Sequence, residues 1–426
     1  MIDIDLNIYD DVCTGCSACT EACFHPDENG FLPINLIQKE NKLSVPRIDM
    51  DICTNCKACY KACPTEDKIY NNEDLSFESY KNSIGKSYFG YSLDEEHRFE
   101  AATAGIITEI ASYLLDTKQV DGVLSSYQDD QTNEIVSKIY TDSNEIRKTV
   151  GSIYRQVTLL NGLDKKIKNG NHKKILIIGL PCHIAGLKTL KKANKHLRKN
   201  IEFITVAIFC KQTKTEEFSD YQRSILRAKA NEKIFFRGKG WPGVTRVKGG
   251  ESLSFLNPKF SLNWPTFTFT PSYCFTCSDP IGIEADISVG DAWLSKYSED
   301  HIGSSLFVAN TELGNNIIKE MQEKNIIYSR EETKENIVIS QSKDHIKFKT
   351  SYPLQRDYYF GTKRKNKDLD ESSQYKRLIK FIKMNKNFYE FLERNRIINF
   401  VPITFLKIYL KIYSLGFKLL SNEGNK

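Results

Sequence analysis

Nowhere in its 426 residues does the sequence run for the 18 or so uncharged apolar residues that a membrane-spanning helix needs. The opening Met1-Ile-Asp-Ile-Asp-Leu-Asn is acidic and has no apolar stretch of the signal-peptide kind, so nothing there marks the chain for secretion. A large charge excess is missing too. The 60 Lys and Arg against 54 Asp and Glu leave +6, which is modest for the length, sits largely near the C-terminus and speaks against a nucleic-acid partner. No long repeat occurs outside one doubled cysteine block. What is present is 40% hydrophobic residues, enough for real cores, in a chain long enough for two or three domains. Twelve cysteines in relays suited to metal, without an export signal, imply a reducing cytoplasm.

Eight of the cysteines form two blocks of the same design. Cys13, Cys16, Cys19 and Cys23 are followed by Cys53, Cys56, Cys59 and Cys63, each a C-x2-C-x2-C-x3-C run. That is the spacing of bacterial ferredoxins that carry two [4Fe–4S] clusters, in which three thiolates of one loop are joined by the fourth cysteine of the other block. The rule assigns Cys13, Cys16, Cys19 and Cys63 to one cluster and Cys53, Cys56, Cys59 and Cys23 to the second. Pro64 follows the last cysteine as the pattern asks, whereas Phe24-His25-Pro26 puts the first block's proline two places late. Disulfides or zinc would not require this doubled register.

The module is expected to end soon after Pro64, giving a 1–66 dicluster domain and a polar 67–97 linker. From Arg98 a helical pattern carries Ile106, Ile107, Ile110, Leu114 and Leu115. Val120 to Tyr127 reads as a strand. Lys174 to Gly179 is a short apolar strand of the buried parallel type, Leu180-Pro181-Cys182-His183 breaks it, and Ala185 to Lys195 forms a crossover helix. Ile201 to Phe209 is the next strand. Cys182 and Cys210 thus sit just past the carboxyl ends of two parallel strands, the edge where open α/β sheets bind ligands. Val244 to Phe269 alternates in places like antiparallel strands, Ala285 to Trp293 is a strand ending in a turn, and Gly303 to Lys324 gives a further strand and helix.

Cys182, Cys210, Cys274 and Cys277 remain. Four thiolates suit one more cubane, but also a structural zinc, and two of them could simply be small buried hydrophobes. Leu180-Pro-Cys182, Phe209-Cys210, Tyr273-Cys-Phe-Thr-Cys277 and Ala285-Asp-Ile-Ser-Val-Gly-Asp-Ala-Trp293 together resemble the coenzyme F420 hydrogenase/dehydrogenase beta-subunit family. Arg98 with Thr103-Ala-Gly105, Gly151-Ser-Ile-Tyr154 and Lys239-Gly-Trp-Pro-Gly243 fit the same pattern, over roughly residues 90 to 330. The resemblance implies a third [4Fe–4S] cluster on those four cysteines, beside FAD. For the flavin it points to Thr103, Gly105, Gly151, Ser152, Lys211, Arg237, Lys239 and Trp241. Thr103 to Gly105 opens a helix whose amides favour a pyrophosphate, and the three cations could neutralise phosphate. Ala104 stands where the family usually has glycine or serine. Trp241 is expected to cap a core rather than stack on a ring, His183 to make local hydrogen bonds, and Asp286 and Asp291 to hold a turn. No catalytic side chain is assigned.

From Glu371 on, eleven basic residues face four acidic ones. Pro402 to Leu420 forms a helix with Thr404, Lys407, Lys411, Ser414 and Lys418 on one face and apolar residues over the rest, too wide an arc for an ordinary solvent-facing helix. Packing on the protein or a second subunit is favoured slightly over a peripheral seat at the inner face of the membrane. The expected architecture is an α+β ferredoxin-like dicluster module, then an α/β flavin- and iron–sulfur-binding domain with a mixed sheet divided as 98–170 and 171–345, then a basic helical tail, 346–426. The expected function is an iron–sulfur flavoprotein oxidoreductase. Electrons from a redox partner, such as ferredoxin or another oxidoreductase subunit, would pass through the ferredoxin-type clusters and the core cluster to FAD and a small organic substrate. A coenzyme F420-dependent oxidoreductase and an electron-transfer subunit of a larger complex are the alternatives, and an oligomer is compatible with either.

Overall fold

The computed structural model describes residues 12–65 except 27, 40 and 41, residues 76–350 except 131 and 231, and residues 373–422. The expected linker over 67–75, and 351–372 and 423–426 of the tail, lie outside the described residues. Strands β1 (Ile34–Gln38) and β2 (Ser44–Ile48) form an antiparallel hairpin between the two cysteine loops. The body holds β3 (Lys86–Ser92), β4 (Gly122–Gln128), β5 (Ile135–Tyr140), β6 (Lys174–Gly179) and β7 (Glu202–Ile208). A small antiparallel sheet of β8 (Ile234–Phe235), β9 (Val244–Val247) and β10 (Ser252–Ser254) follows, then β11 (Ile287–Asp291), β12 (Ser305–Ala309) and β13 (Ile327–Glu331).

The main sheet is mixed and eight-stranded, in the order β13-β3-β12-β11-β7-β6-β4-β5. Its centre, β4, β6, β7 and β11, is parallel; β5 and β12 run against it. Ile175 to Ile178 of β6 are all buried because both faces of a parallel strand are covered. Leu176 and Ile178 join Ile110, Leu114, Val206, Val289 and Phe307 in one core, and Ile175 and Ile177 join Leu160, Leu187 and Leu190 in the other, as a period of two requires.

Two expectations on chain organisation are corrected. The polar stretch before Arg98 is no linker over 76–97: Phe77–Ser83 is a helix capped by Ser76, and β3 lies inside the main sheet between β12 and β13. Its Ser-Tyr-Phe-Gly-Tyr-Ser composition hid it, because Tyr88 and Phe89 are buried while their polar neighbours pair as backbone. The tail boundary at 345 falls inside one helix, Lys343–Thr350, which packs on the body through Ile346 and Phe348. The helical pattern from Arg98 is also two helices, Glu95–Glu100 and Ile106–Asp116, separated at 101–105.

The cysteine module shares its core with the body. Cys16, Ala18, Ala22, Ala58 and Ala62 pack in the same cluster as Ile184, Leu187 and Leu190. Small residues let the cysteine loops press on the helix Pro181–Ala193, where the Thr189 hydroxyl donates to Ala62 O at 2.6 Å. The Glu21 carboxylate accepts from the N–H groups of Gly162 and Asp164 at 2.7 and 3.0 Å, capping the helix Leu163–Gly170 from outside.

At the other end of the chain, helices Ser373–Arg394 and Ile403–Asn422 lie side by side, with Phe381 against Tyr413 and Tyr389 against Tyr409. Leu378, Ile382, Tyr413 and Phe417 bury against Phe267, Phe275 and Phe348 of the body. One face of the tail therefore packs on the protein, the arrangement slightly favoured from the sequence.

Candidate redox site

Because β6, β7 and β11 are parallel, their carboxyl ends share one edge of the sheet. Cys182 follows β6. The expected break at Leu180-Pro-Cys-His is instead the first turn of the helix, which starts at Pro181 rather than Ala185; proline suits a first helical position because its missing N–H would have no partner there. His183 closes that turn. Its Nδ1 accepts from Leu180 N–H at 3.1 Å, so Nε2 donates to Val157 O at 3.0 Å, and burial pulls the ring down to about 4. Cys210 follows β7, its N–H donating to Pro280 O. Cys274 lies in the short helix Tyr273–Thr276, and Cys277 ends it.

The four cysteines line one cavity with Thr14, Gln156, Tyr273, Lys211 and Lys349. Burial, and the neighbouring Cys277 and Cys210, push the Cys182 thiol well up; burial takes Cys274 up to about 11 against the opposing pull of Lys349. Four thiols at one point, Cys274 buried and the others half-buried, are costly as bare thiolates, and a cationic iron–sulfur core removes that cost. Four thiols on one cavity are the donor number that one more cubane takes. Lys349, 2% exposed, donates to Cys274 O at 2.7 Å. Sequence reasoning missed it, since Lys-Phe-Lys-Thr reads as the start of a basic tail.

The structure brings together the two quartets that the spacing names. Burial raises Cys19, whose nearest thiols include Cys13, Cys16 and Cys63; it also raises Cys23 and Cys59, which face Cys53 and Cys56. None of the twelve cysteines is in a disulfide. The first quartet is the inner one. Cys16 is buried and counts among the thiols around Cys182, whereas Cys56 of the second is exposed. Contact with the body is made at Gly186, where a Cβ would stand 2.9 Å from Cys16 Sγ. Gly186→Val is therefore expected to cost about 1–3 kcal/mol by overpacking. A thermal melt that drops while the iron content holds checks it; an unchanged melt would mean that the loop yields freely.

The residues proposed for the flavin gather along the same edge. Asp291, at the end of β11, accepts from Arg237 through both guanidinium ends (Nη1 to Oδ2, 2.9 Å) and from Trp241 Nε1 at 2.9 Å. Burial opposes the Arg237 charge, but Asp291 and Tyr154 outweigh it and raise the arginine further. A Cβ on Gly151 would lie 3.3 Å from Arg237 O, and Ser152 interacts with the Tyr154 hydroxyl. The Thr103 hydroxyl donates to Ser304 O at 2.9 Å. Gly105 caps the helix Ile106–Asp116 at φ 73°, a conformation that favours glycine, and a side chain there would meet the His97 ring. Lys211 is half-buried and its ammonium is held down by burial.

Both of the expected phosphate cations Arg237 and Lys239 carry a carboxylate partner: Asp291 holds the first, and Glu100 the second in an exposed pair. Trp241 does not cap a core; it is half-buried, beside the Trp293 ring at 4.6 Å and tied to Asp291. The carboxylates expected to hold a turn instead tie distant segments: Asp286 accepts from Thr205 N–H and from the hydroxyls of Thr205 and Thr311, linking β7 to the start of the helix Glu312–Glu323.

This geometry agrees with what the chain is similar to. Residues 87–164 match the N-terminal part, and residues 172–335 the C-terminal part, of the family described as "Coenzyme F420 hydrogenase/dehydrogenase, beta subunit", and residues 12–66 match a "4Fe-4S dicluster domain". The chain belongs to the coenzyme F420 hydrogenase/dehydrogenase beta-subunit family, with an N-terminal 4Fe-4S dicluster domain. The dicluster domain supports two [4Fe–4S] clusters, and the protein is an iron–sulfur electron-transfer protein of the beta-subunit type.

Among relatives of this family, the coenzyme F420 hydrogenase subunit beta of Methanococcus voltae is 22% identical over 60% of this chain and 86% of its own length. The coenzyme F420-dependent sulfite reductase of Methanocaldococcus jannaschii is 25% identical over 51% of this chain, but the match spans only 35% of that enzyme. For the F420-dependent formate dehydrogenase subunit beta of the same organism the figures are 32% identity, 24% and 27%. A chain of the F420-reducing [NiFe] hydrogenase complex of Methanosarcina barkeri superposes with a TM-score of 0.52 at 19% identity, covering 66% of this chain and 95% of that one, a likeness of fold. Among the described residues no helix is long and apolar enough to cross a membrane.

Proposed function

We propose that the protein is an iron–sulfur flavoprotein oxidoreductase acting on a small organic substrate at the carboxyl edge of its main sheet. The observation that carries this reading is the contiguity of the cysteines: an outer quartet with Cys56 exposed, an inner quartet whose Cys16 touches the helix Pro181–Ala193, and a third quartet whose Cys182 lies in the first turn of that same helix. Bound there, clusters exchange single electrons and a flavin exchanges one or two and can release a hydride. The chain's own part is positional. Gly186 admits the inner loop, Lys349 sets a positive charge beside the third quartet, and the Asp291–Arg237–Trp241 unit shapes the edge where a ring system would lie. A ferredoxin or another oxidoreductase subunit is proposed as the electron partner, on the outer side at Cys56. The domain division 98–170 and 171–345 is kept as a proposal, with the tail starting after Thr350.

The second reading is a coenzyme F420-dependent oxidoreductase, favoured by the names of three relatives. It is placed second because Lys211, Arg237 and Lys239 would have to serve both FAD's pyrophosphate and the acidic side chain of deazaflavin, and Asp291 and Glu100 already engage two of the three. Anaerobic purification with iron, sulfide and flavin analysis, followed by stopped-flow mixing with reduced deazaflavin, separates the two. Slow or no bleaching of the flavin band, with normal reduction by reduced ferredoxin, is the expected result. Fast bleaching reverses the order, and a preparation without flavin removes both.

A further inference from the structure

The tail helices bury one side and leave the other apolar. Along Ile403–Asn422, Leu406, Tyr413 and Phe417 turn into the body, while Phe405, Ile408, Ile412, Leu415 and Leu419 are exposed, Phe405 and Ile412 by 65% each. These five recur at steps of three and four residues and form one strip about 20 Å long at 1.5 Å per residue. Exposed Lys407, Lys411 and Lys418 run beside the strip, about 100° round the helix axis from its centre. The neighbouring helix adds Met384 and Phe388, both exposed, and Phe388 lies 6.4 Å from the Tyr409 ring, so the apolar surface continues across both helices. The acidic residues of 373–422 are Glu390 and Glu393, and both are buried. The outer side of the pair thus presents apolar and cationic groups and, among the described residues 373–422, no exposed carboxylate.

We propose that this face seats the protein on an anionic lipid bilayer, with the helix Ile403–Asn422 lying in the plane of the interface. Its five apolar side chains would enter the acyl boundary while the lysine stems run along it and carry their ammonium groups to the lipid phosphates. Charge argues for this occupant over a second copy, because two such faces would oppose basic groups to basic groups. Side-chain chemistry argues for it over a protein partner. The strip is four aliphatic residues and one phenylalanine, without the Tyr, Trp and Arg that enrich interface cores, and it asks for no hydrogen bond, which hydrocarbon could not give. Phe275, between Cys274 and Cys277, packs in the same cluster as Tyr413 and Phe417, so the seat holds the third cysteine quartet near the lipid surface.

The test uses the full chain with its clusters loaded, sedimented with vesicles of phosphatidylcholine alone or mixed with phosphatidylglycerol. Binding to the mixed vesicles, released by high salt, is expected. Ile412→Glu with Leu415→Glu, and separately Lys407→Glu with Lys411→Glu and Lys418→Glu, should each lower partitioning about tenfold or more. Iron content and the visible spectrum should stay unchanged, since every altered side chain is exposed. Wild-type protein that stays in the supernatant, or variants that sediment like it, would overturn the proposal. So would a concentration-dependent dimer, or capture of an acidic protein, that is abolished by the apolar variant while no vesicle binding is seen.

Discussion

Replacing Cys274 and Cys277 together by serine is expected to take anaerobically reconstituted protein from about twelve iron atoms per chain to about eight. Both residues sit in one tight turn at the wall of the cavity that the four core cysteines line. The ferredoxin signals should therefore persist while one cluster's worth of iron disappears. The double substitution is chosen because one serine can still act as a weak oxygen ligand, whereas two leave Cys182 and Cys210 alone. Iron analysis together with low-temperature paramagnetic resonance reads the result. Unchanged iron would take the third cluster out of the account; loss of all iron would show that the quartets assemble as one unit. Cys182→Ser would be a poorer probe, since Cys182 lies on the helix that carries Gly186 and the docked inner loop.

Asp291→Ala should be among the most damaging substitutions outside the cysteines, at about 3–5 kcal/mol. The Arg237 side chain is 3% exposed and its pairing with Asp291 is bidentate. Removing the carboxylate leaves a buried guanidinium without its counter-charge and takes the acceptor from Trp241 Nε1. A folding free energy is of order 5–15 kcal/mol, so the loss is a large share of the total. Denaturant melts of the wild type and variant measure it. Asp291→Asn keeps a carbonyl oxygen for Trp241 and should fall between the two. A loss below about 1 kcal/mol in Asp291→Ala would mean that Arg237 finds another partner, and would return it to the set of cations free for a phosphate.

Much of the site was legible because its chemistry is local. A tight loop can offer three thiolates to a cubane only at a C-x2-C-x2-C spacing, so the cysteine blocks declare themselves. The parallel strands Lys174–Gly179 and Glu202–Ile208 were legible for a similar reason: burial on both faces writes an apolar run into the sequence. The strand Lys86–Ser92 was not, because its neighbours β12 and β13 come from more than two hundred residues away and make a polar-looking segment an inner strand next to the sheet edge. The pairing of Arg237 and Lys239 was illegible on the same ground. Their carboxylate partners, Asp291 and Glu100, are distant in sequence, and no pattern in the chain records which cations are already paired.

The sequence by itself determined the two ferredoxin-type quartets, the family and the basic, apolar-rich tail, since each depends on residue types at short, fixed spacings. Only the tertiary structure decided that the inner cysteine loop rests on Gly186, that Lys349 stands behind Cys274, and that the C-terminal helix pair buries one face and leaves another apolar and cationic. Those facts are contacts between segments far apart in the chain. Packing selects such contacts from many that the same residue types would allow, so they exist only once the chain has folded.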